Sequence, residues 1–245
     1  MEANIIKMLD KYLISTEVCD CDNPEIKQKA GELIEGTKTP KEAAVRIFKY
    51  VRDTILFAGD KLYPVKASET LKKGTGFCVP KTNLQIALLR AVNIPARYRQ
   101  LELDKNCLKN LFSDDALESL PKTIWYHPTC ECYLDEKWIA CDGTFDERLY
   151  VGICEKGILD KSLMPTIDWD GENDLYTFKS WLIKDRGTHI FYEDILKKAQ
   201  EEDDNIMKKS LKAMNIDESK IDLDAILKNG LKKSNKYLNK LRKIS

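Results

Sequence analysis

Apolar residues recur at helical spacing through the first third of the chain and change to alternation near its middle, and this switch of period sets the expected architecture. Ile5, Ile6, Leu9 and Leu13 mark a first stripe, and Ile26, Ala30, Leu33 and Ile34 mark a second that Asp22-Asn23-Pro24 opens. A third helix has stronger start signals: Thr39 can cap, Pro40 suits the first helical position, and Glu42 completes a capping box. Ala44, Ile47, Phe48, Val51 and Ile55 should form its buried face. The turn-rich residues 59–76 end in Gly74-Thr75-Gly76 and give way to a helix striped by Leu84, Leu88 and Val92. Proline is tolerated only in a first helical turn, so Pro80 puts Phe77, Cys78 and Val79 at that helix's N-terminal edge. Asn93-Ile94-Pro95 ends it.

Residues 98–103 then read as a strand, 105–122 as a polar loop with a short helix, and 124–134 and 137–141 as two strands joined by a turn at Asp135-Glu136. Helices followed by antiparallel strands predict an α+β domain. From Phe191 onward the chain is charged and helical, and residues 231–245 carry Lys232, Lys233, Lys236, Lys240, Arg242 and Lys243 with no acid. Met207, Leu211, Met214, Ile226, Leu227, Leu231, Leu238 and Leu241 supply apolar stripes. We therefore expect a main domain over residues 1–190 and a helical extension over 191–245 that packs on the core or on a protein partner.

Composition narrows the class without naming a chemistry. The 245 residues suffice for one sizeable core, and 43% hydrophobic with 33% charged residues is ordinary for a globular protein. Lys+Arg and Asp+Glu are 40 each, so the total charge favours neither nucleic acid nor an anionic membrane as partner. Charges interrupt every apolar stretch near the N-terminus, which predicts neither a signal peptide nor a span and so a cytoplasmic protein. The eight cysteines are then expected as reduced thiols, mostly apolar filler.

One cysteine stands apart. At a helix N-terminus the dipole and the unpaired backbone N–H groups favour a thiolate, and the same N–H groups can stabilise an oxyanion, so Cys78 is placed as a nucleophile. A thiol nucleophile needs an imidazole to take its proton and to protonate a leaving amine, and the chain has only His127 and His189. His127, at the start of the strand through Leu134, is the better placed. A two-residue turn at Asp135-Glu136 would pair Leu134 with Lys137 and, counting outward, Thr129 with Asp142. Asp142 is then diagonal to His127 on one face, about 7 to 8 Å away at the backbone and within reach of a ring-to-carboxylate contact. A slip of one residue would put it on the other face.

Other clusters point to less. Cys19-Asp20-Cys21 and Cys130-Glu131-Cys132 lack zinc-loop spacing, and Cys130 and Cys132 should lie behind the His127 face as filler. Glu131 shares the His127 face and suits a salt bridge. The acidic run from Asp168 to Asp174 has its glycine too early for a calcium loop and reads as a turn. Arg90 and Arg97 suit structural tethers. No metal and no cofactor are expected.

Residues 74–98, with Cys78 and the following helix and strand, resemble the nucleophile region of the transglutaminase-like superfamily. His127 to Glu131 with Tyr133, then Trp138 and Asp142-Gly143-Thr144, resemble its histidine and aspartate strands, and the helix from Thr39 is also similar. The resemblance implies a papain-like α+β core in which Cys78 forms a thioester, His127 moves protons and Asp142 orients the ring. Water as acceptor would make a peptidase or amidase and an amine would make a transglutaminase, with a peptide, protein or small amide as substrate. The alternative is an inactive fold that serves as a binding scaffold through its C-terminal helices. Two departures stand out: Thr129 sits where the family often has tryptophan, and Pro128 interrupts the strand, which suggests an edge position or an altered pocket. Residues 59–77 hold no Gln, Asn or Trp, so Tyr63 is the side-chain candidate for the second oxyanion donor beside the Cys78 backbone.

Overall fold

The computed structural model describes residues 8–111, 117–118, 121–213 and 223–243. Ile5 and Ile6 of the first predicted stripe and part of the 105–122 loop lie outside these residues, as do the side chains of Met207, Leu211, Met214, Ile226 and Leu227. Four helices come first. Helix α1 (Pro24–Ile34) starts where Asn23 accepts a hydrogen bond from the Glu25 N–H, and α2 (Pro40–Asp53) starts where Thr39 accepts from the Glu42 N–H. The reciprocal half of the capping box is displaced by one residue, because the Glu42 carboxylate takes the N–H of Lys38. Strand β1 (Leu56–Phe57) leads to α3 (Ala67–Lys73), a helix inside the segment that the sequence presents as turns. Strand β2 (Thr75–Gly76) pairs in parallel with β1 and delivers the chain into α4 (Cys78–Ala91).

Three strands follow in antiparallel order, β3 (Ala96–Asp104), β4 (Thr123–Leu134) and β5 (Lys137–Ala140), as the alternation predicts. Helix α5 (Glu147–Glu155), strand β6 (Leu182–His189) and helices α6 (Glu193–Ala213) and α7 (Leu223–Leu241) complete the fold. The sheet order is β5-β4-β3-β6. Asp135 and Glu136 both have positive φ, 46° and 63°, which gives the tight turn that sets the β4–β5 register. Strand β4 is internal to the sheet, so Pro128 does not lie on an edge strand. At Pro128, however, only β3 pairs with β4, since the β5 ladder reaches no further than Glu131 and Ala140. The missing N–H therefore falls on the side where no ladder partner exists.

Two cores flank the sheet. Ile26, Ile47, Phe48, Ile86 and Leu89 from α1, α2 and α4 pack with Cys130, Cys132 and Ile139. The second core joins Phe57, Leu101, Phe145 and Phe178 with Leu238 and Leu241 of α7. Both C-terminal helices touch these cores, since Leu196 and Ala199 of α6 are buried in the first. A Cβ on Gly152 would come within 1.9 Å of the Leu241 carbonyl, so glycine is what permits α7 to end against α5. Arg242 then locks that end through Asp146 and the Phe57 carbonyl. Arg90 of α4 donates to the carbonyls of Ala96, Ile14 and Ile190, a tether of the kind its position suggests. No described helix is long and apolar enough to cross a membrane.

Candidate active site

Cys78 is the first residue of α4, half-buried, and no side chain caps that helix, so the backbone donors of its first turn are not taken by a cap. The β1–β2 pair holds the approach, with the Leu56 N–H on the Gly74 carbonyl at 3.0 Å and the Ala58 N–H on the Gly76 carbonyl at 3.0 Å. One turn into the helix, Lys81 is buried and donates to the carbonyls of Arg52 at 3.0 Å and Ile55 at 2.6 Å. The first carbonyl lies in the last turn of α2 and the second just past it, so Lys81 ties the head of the nucleophile helix to the tail of its neighbour. Burial is the main cause that pulls the Lys81 ammonium down to about 7, against the nearby carboxylates of Asp146 and Asp53.

Cys78, His127 and Asp142 come together. The hairpin pairs Leu134 with Lys137, and the Cys141 N–H donates to the Cys130 carbonyl at 2.8 Å, which continues the register toward Thr129 and Asp142. The Nε2 of His127 lies 3.5 Å from the Oδ2 of Asp142, with both side chains almost fully buried. That separation is long for a hydrogen bond and Nε2 has no other partner among the described residues, so attraction between charges is the main link. The ring is also within electrostatic reach of the Cys78 sulfur. Burial pushes the imidazole down, but the Cys78 thiolate and the Asp142 carboxylate outweigh it and carry His127 up to about 10. The ring thus holds its proton at neutral pH opposite the sulfur.

Asp142 is itself fixed from several sides. Its Oδ1 accepts from the Thr144 N–H at 3.1 Å and the Thr144 hydroxyl at 2.6 Å, and its Oδ2 accepts from the Thr177 N–H at 3.3 Å. The Thr177 hydroxyl donates to the Asp142 carbonyl at 3.0 Å. Phe178 meets the His127 ring edge-on at 5.0 Å. Gly143 lies so close to Gln85 that a Cβ there would be 2.8 Å from its Oε1, which explains a glycine between Asp142 and Thr144. Sequence reasoning missed Thr177 and Phe178. The available signal was the short apolar alternation Leu175-Tyr176-Thr177-Phe178 after the acidic turn, whose Leu175 bridges in parallel to Cys141.

The remaining candidates are placed as follows. The Tyr63 hydroxyl donates to Glu17 at 2.6 Å, so its one proton is engaged away from the thiol. Glu131 is buried and binds Arg97 and Arg99, each at 2.7 Å, a structural ion-pair network. Cys130 and Cys132 lie in the core against α4, and Cys19 and Cys21 are buried as well. Asp170 closes a turn by accepting from the Glu172 and Asn173 N–H groups, which hold its carboxyl down at about 2. No group of three or more metal-binding side chains occurs among the described residues.

Residues 27–143 match the family model of the transglutaminase-like superfamily. This matched stretch is transglutaminase-like. Among solved structures it is similar to a putative cysteine protease from Cytophaga hutchinsonii, with 23% identity and a TM-score of 0.43 over 54% of this chain and 40% of the other. A putative protease from Parabacteroides distasonis is similar at 16% identity and a TM-score of 0.37, over 55% of this chain and 25% of that one. The likeness thus spans less than half of either solved chain. No curated protein matches. The matched stretch contains Cys78, His127 and Asp142, whereas Thr177 and Phe178 lie beyond its end.

Proposed function

We propose that this chain is a cysteine-dependent amide hydrolase or acyltransferase working through a thioester on Cys78. His127 moves protons and Asp142 orients its ring. The observation that carries this reading is the convergence of Cys78, first residue of α4, with a buried His127 whose Nε2 lies 3.5 Å from the Asp142 carboxylate. The thiolate attacks the amide carbonyl carbon, a C–S bond forms, and the C=O electron pair moves to oxygen. On collapse the C–N bond breaks and the His127 proton passes to the departing nitrogen. Neutral His127 then takes a proton from water or an amine as it attacks the thioester carbonyl, and on collapse the C–S bond breaks and the sulfur leaves as the thiolate beside the reprotonated ring. Water yields an acid and an amine yields a new amide, with a peptide, a protein or a small amide as acyl donor.

The test is alkylation by iodoacetamide at neutral pH, with each thiol followed by peptide mapping. Cys154 is the control, because it too is half-buried while burial pushes its thiol pKa up. Cys78 should react at least ~10-fold faster than Cys154, as expected when one thiol stands at a helix N-terminus beside an imidazole and burial holds the other protonated. Equal and slow labelling of both would sink the enzymatic reading and favour an inactive binding scaffold.

A further inference from the structure

We propose that Tyr126 supplies the second oxyanion donor: its hydroxyl hydrogen-bonds to the carbonyl oxygen of a substrate that Cys78 attacks, beside the Cys78 backbone N–H. This rests on the thioester reading and names a catalytic residue that the trio leaves open.

Position is the first argument. Tyr126 directly precedes His127 on β4, and it packs against both cores, as Phe77 does on the approach to Cys78. Tyr126 therefore sits at the seam between the two cores where α4 begins, within electrostatic reach of the Cys78 sulfur. Its backbone is held there, because the Tyr192 hydroxyl donates to the Tyr126 carbonyl at 3.2 Å and Tyr192 stacks on Tyr98 at 4.8 Å. The Trp125 ring stands perpendicular to it at 5.7 Å.

Availability is the second. The Tyr126 hydroxyl makes no hydrogen bond to any described residue. Several other side-chain donors around the helix head are engaged. Tyr63 donates to Glu17, the Trp125 indole to Glu202 at 2.7 Å, and Gln100 to the Trp125 carbonyl at 2.9 Å. Asn83 donates to the Val65 carbonyl and Gln85 to that of Cys141. The Thr129 hydroxyl also lacks a partner among the described residues, but Thr129 is fully buried, whereas Tyr126 is half-buried and can meet an oxygen that appears only during reaction, as an oxyanion hole requires.

Chemistry is the third. An oxyanion donor must keep its proton while the thiolate forms beside it. Burial is the main cause that raises the Tyr126 phenol above its ordinary range, and the negative charges of Asp203, Cys78 and Glu202 add to it. No proton is transferred: the phenol shares its hydrogen with the C–O⁻ oxygen while the C–S bond forms, and the share is withdrawn when the C=O bond is restored.

The experiment compares two reactions of the same sulfur in the full chain. Acylation by p-nitrophenyl acetate passes through an oxyanion, whereas alkylation by iodoacetamide does not. Tyr126→Phe should slow acylation by roughly 10- to 100-fold, within the range found for loss of one oxyanion donor or a little below it, and leave alkylation of Cys78 within about twofold. The alkylation rate also reports whether the variant retains a folded site. Cys78-dependent acylation that Tyr126→Phe leaves unchanged overturns the role of Tyr126 alone, and so does an equal fall in both rates, which would mark a packing role. Acylation that survives Cys78→Ala in the parent chain overturns the thioester reading, and this inference with it.

Discussion

The two histidines lie on two strands of one sheet, and their surroundings differ in depth and in charge: His127 is buried and His189 half-buried. Among the described residues His127 on β4 and His189 on β6 each leave an Nε2 without a hydrogen-bond partner, and each presents its ring to an aromatic side chain, Phe178 at 5.0 Å and Tyr192 at 5.9 Å. Burial acts on both rings in the same direction. At His189 nothing opposes it and the pKa falls below the ordinary histidine value. At His127 the Cys78 thiolate and Asp142 reverse the sign. Charged neighbours, and not depth, therefore decide which ring carries a proton.

The sharpest way to break this contrast is to exchange each ring for an amide. Replacement of His127 by Gln should lower kcat/KM for a Cys78-dependent ester or amide substrate by about 10³- to 10⁴-fold, since base and acid are lost together. His189→Gln should stay within about twofold, because that ring makes no ion pair among the described residues and burial alone shifts it. Comparable losses in both variants would show that β6 contributes to catalysis and that the charge contrast does not set function.

Why only one of these histidines could be chosen from sequence follows from where the information lies. The β4–β5 register was legible because a two-residue turn leaves no freedom in pairing, and Leu134 does meet Lys137. The nucleophile helix was legible because Pro80 can stand only in a first turn, and α4 does begin at Cys78. Strand β6 was not, since Leu182 to His189 has no apolar alternation and sits almost wholly exposed on the sheet edge, where the backbone ladder alone makes it a strand. Helix α3 was hidden by its polar sequence between turn residues. Lys81 and Thr177 were invisible for another reason: each acts through backbone carbonyls that only the folded chain brings near.

A second test acts on the proton itself. In Cys78→Ala the largest cause that raises His127 is removed, so burial regains weight and the ring pKa should fall from about 10, as followed by NMR titration of the ring nitrogens. The direction carries over to stability. A folded-state pKa above the unfolded value of 6.5 means that the native state binds the extra proton, so this contribution is full below 6.5 and is lost as pH rises through about 10. Cys78→Ala should flatten that decline in denaturation midpoints, while the His189 resonances keep their titration. An unchanged His127 titration would show that the sulfur does not hold the ring's charge.

The smallest expected effect probes what keeps Asp142 on the His127 side. Two threonines hold this residue, but in different ways: Thr144 binds the carboxylate through its hydroxyl, whereas the Thr177 hydroxyl binds the Asp142 carbonyl and only its N–H reaches the carboxylate. Thr177→Val keeps shape and N–H and removes one neutral hydrogen bond, a loss of about 1 kcal/mol. If that loss reaches the transition state through the placement of Asp142, kcat should fall roughly 5-fold with KM unchanged, and Thr177→Ser should restore it. A purely structural role would lower the denaturation midpoint and leave kcat intact. That result would separate Thr177 from the charge relay that distinguishes β4 from β6, and leave Thr144 as the side-chain donor that orients the carboxylate.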